Sequence, residues 1–306
     1  MVAMTAHQED TVDVALGERT VPVPGGGLYD TYRMRTDLNA VAQDPRVAGV
    51  EFFRDQPKTE VSSPIGPTWT PNFYYAMSSA RLTMLAPTRS LRPRLPEELD
   101  PLEIAPGFGL ASLMLFRYDV ADIDFYTEAA VGIAVRPPRH GPFGAVDTLA
   151  GLKNDHLHAY VLSLPVSTEI AQVRGQDGYG FPKWVAPLDV TVGGQRTSAR
   201  IGNGAGGTDL EFSAPTPAQQ HHPSGTRVSS LTSYTQVDGA WHATFNQTNV
   251  LATGTSKFPK NVSLTLGQGR VSDDLRSLRP VRNLAFDAST SAQAALHMPT
   301  VLSLGR

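Results

Sequence analysis

The stretch Gly175-Gln-Asp-Gly-Tyr-Gly-Phe-Pro-Lys-Trp184 decides how the rest of the chain is read. Glycine at 175, 178 and 180, with Pro182 close behind, marks a tight turn. Lys183 stands in apolar and aromatic company: Phe181, Trp184, Val185 and Ala186. The chain has only five lysines, at 58, 153, 183, 257 and 260, among 26 basic residues. If the turn folds inward, Lys183 is desolvated, which disfavours the ammonium and favours the neutral amine that attacks a carbonyl. The residues alone leave a second reading open, a lysine snorkelling over the Trp184 face as a cation–π pair. A second Phe-Pro-Lys, at 258–260, has Ser256, Lys257 and Asn261 as neighbours and reads as surface.

Outward from this turn the chain is rich in strand signals. Ala80–Ala86, Leu110–Tyr118, Asp124–Val135 and His156–Val166 are apolar, β-prone runs that precede it. After it, Leu188–Val192 and Thr197–Ile201 flank Gly193-Gly194, and Asp209–Ser213 follows the loop Asn203–Gly207. Val237-Asp238-Gly239 reads as one more hairpin turn. With 27 glycines and 24 prolines, long helices are disfavoured; Val271–Leu278 is the best late helix. Many short strands predict an antiparallel sheet closed as a barrel or sandwich. Residues 1–70 read as an N-terminal extension, with Val21–Gly27 (VPVPGGG) as loop and a short helix within Thr36–Ala48; residues 71–306 form the main domain.

Composition removes several classes of function. There is no cysteine, which excludes disulfides, thiolate metal sites and cysteine nucleophiles. Twenty-six basic against 29 acidic residues give a net charge of −3, without the basic excess of a nucleic-acid binder. The longest apolar run, Phe108–Phe116, is far short of the roughly 20 residues of a membrane span. Residues 1–8 lack the pattern of a signal peptide, so a cytoplasmic protein with neither nucleic-acid nor membrane partner is expected. No P-loop or G-x-S-x-G is present. His156 and His158 alternate on one strand face and could hold a metal, but no third ligand suggests itself, so no metal is expected.

At the lysine turn the sequence resembles the acetoacetate decarboxylase superfamily, whose Schiff-base lysine lies in G-R-E-x-x-x-[YF]-P-K-K. Tyr126-Thr127-Glu128 is similar to the family's Y-x-E strand, His156-Leu157-His158 to the strand that leads into the lysine turn, and Leu95-Pro96-Glu97 to a helix-like L-x-x-x-[VL]-P segment. The order of the four pieces agrees. The resemblance implies an α+β, mainly β fold: an acetoacetate decarboxylase-like antiparallel β-barrel or cone with few short helices. It implies catalysis by Lys183 as Schiff-base nucleophile and Glu128 as the glutamate beside it. Arg81, Tyr126, His158, Tyr179, Phe181 and Trp184 are expected to line the substrate site. No cofactor is implied. The expected partner is a small keto acid or ketone, and a homo-oligomer is expected because relatives form multimers.

The chain departs from the family at several points. The second lysine of the motif falls on Trp184, and Gly-Arg-Glu becomes Gly175-Gln176-Asp177. Aligned without gaps, a second active-site glutamate falls on Leu113 and the carboxylate-binding arginine near Met77, with Arg81 or Arg117 as substitutes. This family is the standard illustration of a lysine activated by apolar surroundings or a neighbouring cation, and the motif here keeps only the first. The expected function is therefore a Schiff-base lyase of this superfamily: decarboxylation of a β-keto acid, or aldol, dehydration or cyclising chemistry on a pyruvate-like donor. The other reading is a non-catalytic binding relative in which Lys183 is structural.

Overall fold

Alternating apolar and polar positions build a sheet that closes on itself. The computed structural model describes residues 10–138 and 156–302. In chain order, β1 (Thr11–Leu16) and β2 (Arg19–Pro24) make a hairpin, and β3 (Thr59–Val61) pairs with β4 (Thr68–Thr70). The main strands before the lysine turn are β5 (Asn72–Pro87), short β6 (Glu103–Ala105), β7 (Phe108–Ala121), β8 (Tyr126–Ala134) and β9 (His156–Val166). After it come β10 (Lys183–Val185), β11 (Leu188–Thr191), β12 (Arg196–Gly202), β13 (Thr208–Pro215) and β14 (Gln220–His221). The last are β15 (Val228–Val237), β16 (Ala240–Lys257), β17 (Ser263–Leu266), β18 (Arg282–Leu296) and β19 (Thr300–Leu302).

Seven strands form a closed barrel in the order β9-β15-β16-β18-β5-β7-β8, with β8 returning to β9. All barrel pairs are antiparallel except β9–β15, which runs parallel after a long crossover that contains the lysine turn and three strands of a second sheet. That second sheet, β11-β12-β13-β17, and the helix Arg270–Leu278 pack on one face of the barrel wall. Leu82, Leu113, Val131 and Phe286 from the wall meet Leu188, Ile201 and Phe212 from the sheet and Val271 and Leu275 from the helix. The Val237–Gly239 turn between β15 and β16 carries Asp238 at φ 51° and Gly239 at φ 77°, the two positive values of a type I′ hairpin.

The N-terminal segment folds onto the barrel. Val14, Leu16, Val21 and Val23 of the hairpin are buried with Tyr74, Tyr118, Tyr126 and Ile170. Val21–Gly27, expected as loop, is strand as far as Pro24. Pro22 and Pro24 are tolerated because β2 is an edge strand, and Val21 and Val23 alternate into the core. Among the described residues, no helix is long and apolar enough to cross a membrane.

Candidate active site

The lysine turn is more structured than its glycines suggest. A short helix, Glu169–Val173, runs into one π-helical turn, Arg174–Gly178, before the chain reaches β10. Phe181 N–H donates to the Gly175 carbonyl at 2.9 Å and Gly180 N–H to Gln176 at 3.0 Å, which folds the loop back on the helix end. Gly180 has φ +71°, and a Cβ there would meet Val237 Cγ2 at 2.4 Å; both conditions call for glycine. Gly175 is required for another reason: the Lys183 stem lies across it, so that a Cβ would be 2.2 Å from Lys183 Cδ.

β10 adds to β9 in parallel, with Lys183 opposite Leu164. Across the wall, Glu128 on β8 pairs with Val166 of β9 and Phe116 of β7. The Lys183 ammonium donates to Glu128 Oε2 at 2.6 Å, and the two side chains are only 8% and 9% exposed. Tyr179 and Phe181 join Ala130 of β8, Leu164 of β9, Met114 and Phe116 of β7 and Leu296 of β18 in one cluster. The second sheet and the helix Arg270–Leu278 cover the opposite face of the wall, so the residues that alternate with that covered face, the ion pair among them, point to the barrel interior.

Three tyrosines floor the pair. Tyr118 OH donates to Glu128 Oε1 at 3.3 Å, and Tyr126 OH donates to Tyr74 OH at 3.1 Å. The Tyr74–Tyr118 and Tyr118–Tyr126 ring centroids are 4.3 and 4.5 Å apart, and Lys183 Nζ lies 5.6 Å over the Tyr126 ring. Burial, with the Glu128 charge in addition, pushes all three phenols above the usual tyrosine range. They remain hydroxyl donors beside a carboxylate. Tyr74 and Tyr118 are not identified from sequence: Tyr118 reaches Glu128, and Tyr74 reaches Tyr126 and Tyr118, through the register of three different strands.

Of the expected site residues, Lys183, Glu128, Tyr126, Tyr179 and Phe181 come together. Trp184 does not. Neighbours on a strand point to opposite faces, and Trp184 packs on the outer core with Arg270 stacked 4.6 Å from its ring. His158 is also elsewhere, six residues along β9 from Leu164, roughly 20 Å of strand. Its Nδ1 is 2.8 Å from Tyr234 OH, and burial, with His156 beside it, lowers its pKa to about 4. His156 bonds Ser230 and Thr232 hydroxyls, and among the described residues no cluster of three His, Asp or Glu side chains forms.

The substitute arginines are already engaged. Arg81 shares the concave face, opposite Met114, but lies on β5, with β7, β8 and β9 between it and β10; its guanidinium is 3.0 Å from Asp287 and makes no contact with Lys183 or Glu128. Arg117 pairs with Asp119 at 2.8 Å and covers the Phe125 ring. Leu113, the ungapped position of the second glutamate, faces the outer core, while its neighbour Met114 takes the concave face.

The site is thus a buried lysine–carboxylate pair on the inner face of a closed seven-stranded barrel. The family model for acetoacetate decarboxylase matches residues 62–302, and the chain belongs to that family. No curated protein sequence matches the chain. Solved structures share the fold. The acetoacetate decarboxylase of Legionella pneumophila aligns with TM-score 0.55 at 13% identity, over 84% of this chain and 96% of that one. The enduracididine biosynthesis enzyme MppR, complexed with the condensation product of pyruvate and imidazole 4-carboxaldehyde, aligns with TM-score 0.51 at 16% identity, over 76% and 89%.

Proposed function

We propose that the chain is a Schiff-base-forming lyase acting on a keto acid, with Lys183 as nucleophile and Glu128 as its proton partner. The observation that carries this reading is the buried Lys183–Glu128 contact of 2.6 Å on the concave face of the barrel. Membership of the acetoacetate decarboxylase family and the resemblance of the lysine turn and the Tyr126–Glu128 strand to that family's motifs support the reading, and MppR has been solved with pyruvate bound.

The chemistry follows from the pair. Transfer of one proton from the ammonium to Glu128 leaves a neutral amine and a carboxylic acid 2.6 Å apart. The amine nitrogen attacks the ketone carbon, the C=O electrons become an alkoxide, and the alkoxide takes a proton from the attacking nitrogen to give a neutral carbinolamine. The Glu128 acid then protonates the hydroxyl, water leaves, and an iminium forms on Lys183 with the Glu128 carboxylate beside it. The iminium draws in the electron pair of a neighbouring bond. In a β-keto acid this is the C–C bond to the carboxylate; CO₂ leaves and an enamine remains, to be protonated at carbon and hydrolysed. In a pyruvate-like donor it is an α C–H bond whose proton goes to a base; the enamine carbon then attacks an aldehyde. Tyr118, as a donor to Glu128 Oε1, holds the carboxylate in place through both transfers.

Borohydride reduction tests the reading. Incubated with acetoacetate or pyruvate and then reduced, the protein is expected to gain one adduct, on Lys183 and on none of the other four lysines. Lys183→Ala should abolish it, and Glu128→Gln should slow its formation about 100-fold, as for loss of a positioned acid–base group. No adduct with either keto acid, or an adduct that survives Lys183→Ala, refutes the assignment.

A further inference from the structure

A keto acid brings a carboxylate as well as a ketone, and the barrel must hold it with a cation. Lys183 is committed to Glu128, Arg81 to Asp287 and Arg117 to Asp119. Arg174 is different. It opens the π-helical turn, immediately before the Gly175 over which the Lys183 stem lies, and it is only 3% exposed. Among the described residues, its one hydrogen bond of good geometry is from Nη1 to the neutral hydroxyl of Thr68, at 3.1 Å. Nη2 is buried and makes none.

The surroundings hold an excess of positive charge. Close to Arg174, Lys58 pairs with Asp122 at 2.5 Å, with side chains 10% and 0% exposed. Asp122 is fully used: Thr36 Oγ1, Tyr75 OH and the Phe73 N–H also donate to it. Burial lowers the pKa of Lys58; Asp122 opposes this, and Arg174 adds to it. Asp122 is taken by Lys58, and among the described residues no carboxylate pairs with Arg174; a buried charge without a counter-ion is among the costlier arrangements in a protein. Beside the guanidinium, the Tyr179 hydroxyl is buried and lacks a hydrogen bond of good geometry. Tyr179 lies in the same cluster as Phe181 and Leu164, and Leu164 is the residue opposite Lys183. The guanidinium and the phenol lie against each other next to the nucleophile's turn, and neither Arg174 Nη2 nor Tyr179 OH has a hydrogen bond of good geometry, so the pair can turn both groups on an incoming acceptor.

We propose that Arg174, with Tyr179 OH, is the anchor for the carboxylate of the keto-acid substrate, replacing the arginine whose usual position here falls near Met77. The inference rests on Lys183 as the imine-forming residue, and the test separates the two. Pyruvate and methyl pyruvate carry the same ketone, and only the first carries a carboxylate. In the borohydride assay, Arg174→Gln should raise the half-saturating pyruvate concentration at least 10-fold and leave methyl pyruvate within about twofold. Arg174→Lys should recover part of the loss, and Tyr179→Phe should raise the pyruvate value several-fold. Equal losses for both ketones, or no change for either, overturn the proposal. Arg174→Lys and Tyr179→Phe carry the same comparison if Arg174→Gln does not fold by circular dichroism. Calorimetry of pyruvate with Lys183→Ala, with and without Arg174→Gln, reads anion capture with the imine removed. Arg174-dependent binding there keeps the anchor even if no adduct is ever trapped on Lys183. Binding that is absent, or indifferent to Arg174, overturns it.

Discussion

Replacing Gly175 by alanine tests whether the glycine under the lysine stem places the amine. A Cβ at this position would lie 2.2 Å from Lys183 Cδ, 2.5 Å from Cε and 3.1 Å from Cγ. Ordinary carbon–carbon contact is about 3.5–4.0 Å, so the stem must move by more than about 1 Å. The Nζ–Glu128 contact of 2.6 Å does not survive such a shift in its present geometry. A misplacement of about 1 Å commonly costs about 100-fold in rate, the fall expected for adduct formation on Lys183. Stability should behave differently. Gly175 has no left-handed φ, and alanine in a helical turn is favoured over glycine by roughly 0.5–1 kcal/mol, which offsets part of the displacement. The expected pattern is a Tm within a few degrees of the parent and a trapping rate about 100-fold lower. Gly178→Ala is the control: its Cβ would meet Ile65 Cδ1 at 3.4 Å, ordinary contact, and both readouts should hold. Gly180→Ala, strained by its φ of +71° and by Val237, should lose stability instead. A Gly175→Ala protein that traps pyruvate at the parental rate would refute the placement argument, as would a rate loss explained entirely by unfolding.

Two further outcomes follow from residues outside the pocket. Trp184→Ala should cost about 2 kcal/mol, roughly half the loss for a fully buried tryptophan, by removing the contact with the outer core and Arg270. Half-saturation by pyruvate should not change; a changed value at an unchanged Tm would return the indole to the substrate site. For His158 the folded-state pKa of about 4 lies below its usual 6.5, so the unfolded chain takes up the proton first as pH falls. Its contribution is complete above pH 6.5 and is lost between 6.5 and 4. Discounted for its half-exposed position, this amounts to about 1 kcal/mol. His158→Gln should therefore flatten the fall in Tm between pH 7 and pH 4.5, and identical pH profiles would refute the assignment.

The parts of the site that were legible in the sequence are those fixed by local chemistry. A lysine between a Gly-rich turn and aromatic residues is unusual whatever fold surrounds it, and the Tyr-x-Glu strand carries both members of its pattern within three residues. The parts that were not legible depend on register. Met114 rather than Leu113 shares the face of Glu128, and a slip of one residue exchanges the two. Tyr118 meets Glu128 because it pairs opposite Tyr126, a fact of the β7–β8 ladder. His158 was placed near the turn by chain order, but the length of β9 separates them. The strand at Arg19–Pro24 was hidden by its prolines, which only an edge position permits.

The same strand geometry changes what the loss of the second lysine means. Position 184 projects to the face opposite Lys183, toward Arg270 of the helix Arg270–Leu278. A lysine there would stand beside that arginine, on the far side of the wall from Nζ, and would face cation–cation repulsion. Tryptophan replaces this repulsion with a cation–π contact and adds apolar area to the outer core. The exchange is a matter of packing between layers and leaves the concave face unaltered. What distinguishes this pocket is on that concave face: one carboxylate beside the nucleophile, Met114 where the wall could carry another acid, and three phenols beneath. With Glu128 occupied by Lys183, no second carboxylate among the described residues meets the amine, so among these an incoming substrate carboxylate is opposed by a single negative group. The cation that would hold it lies one residue from the glycine that supports the lysine stem, and a displacement of that turn would move both together.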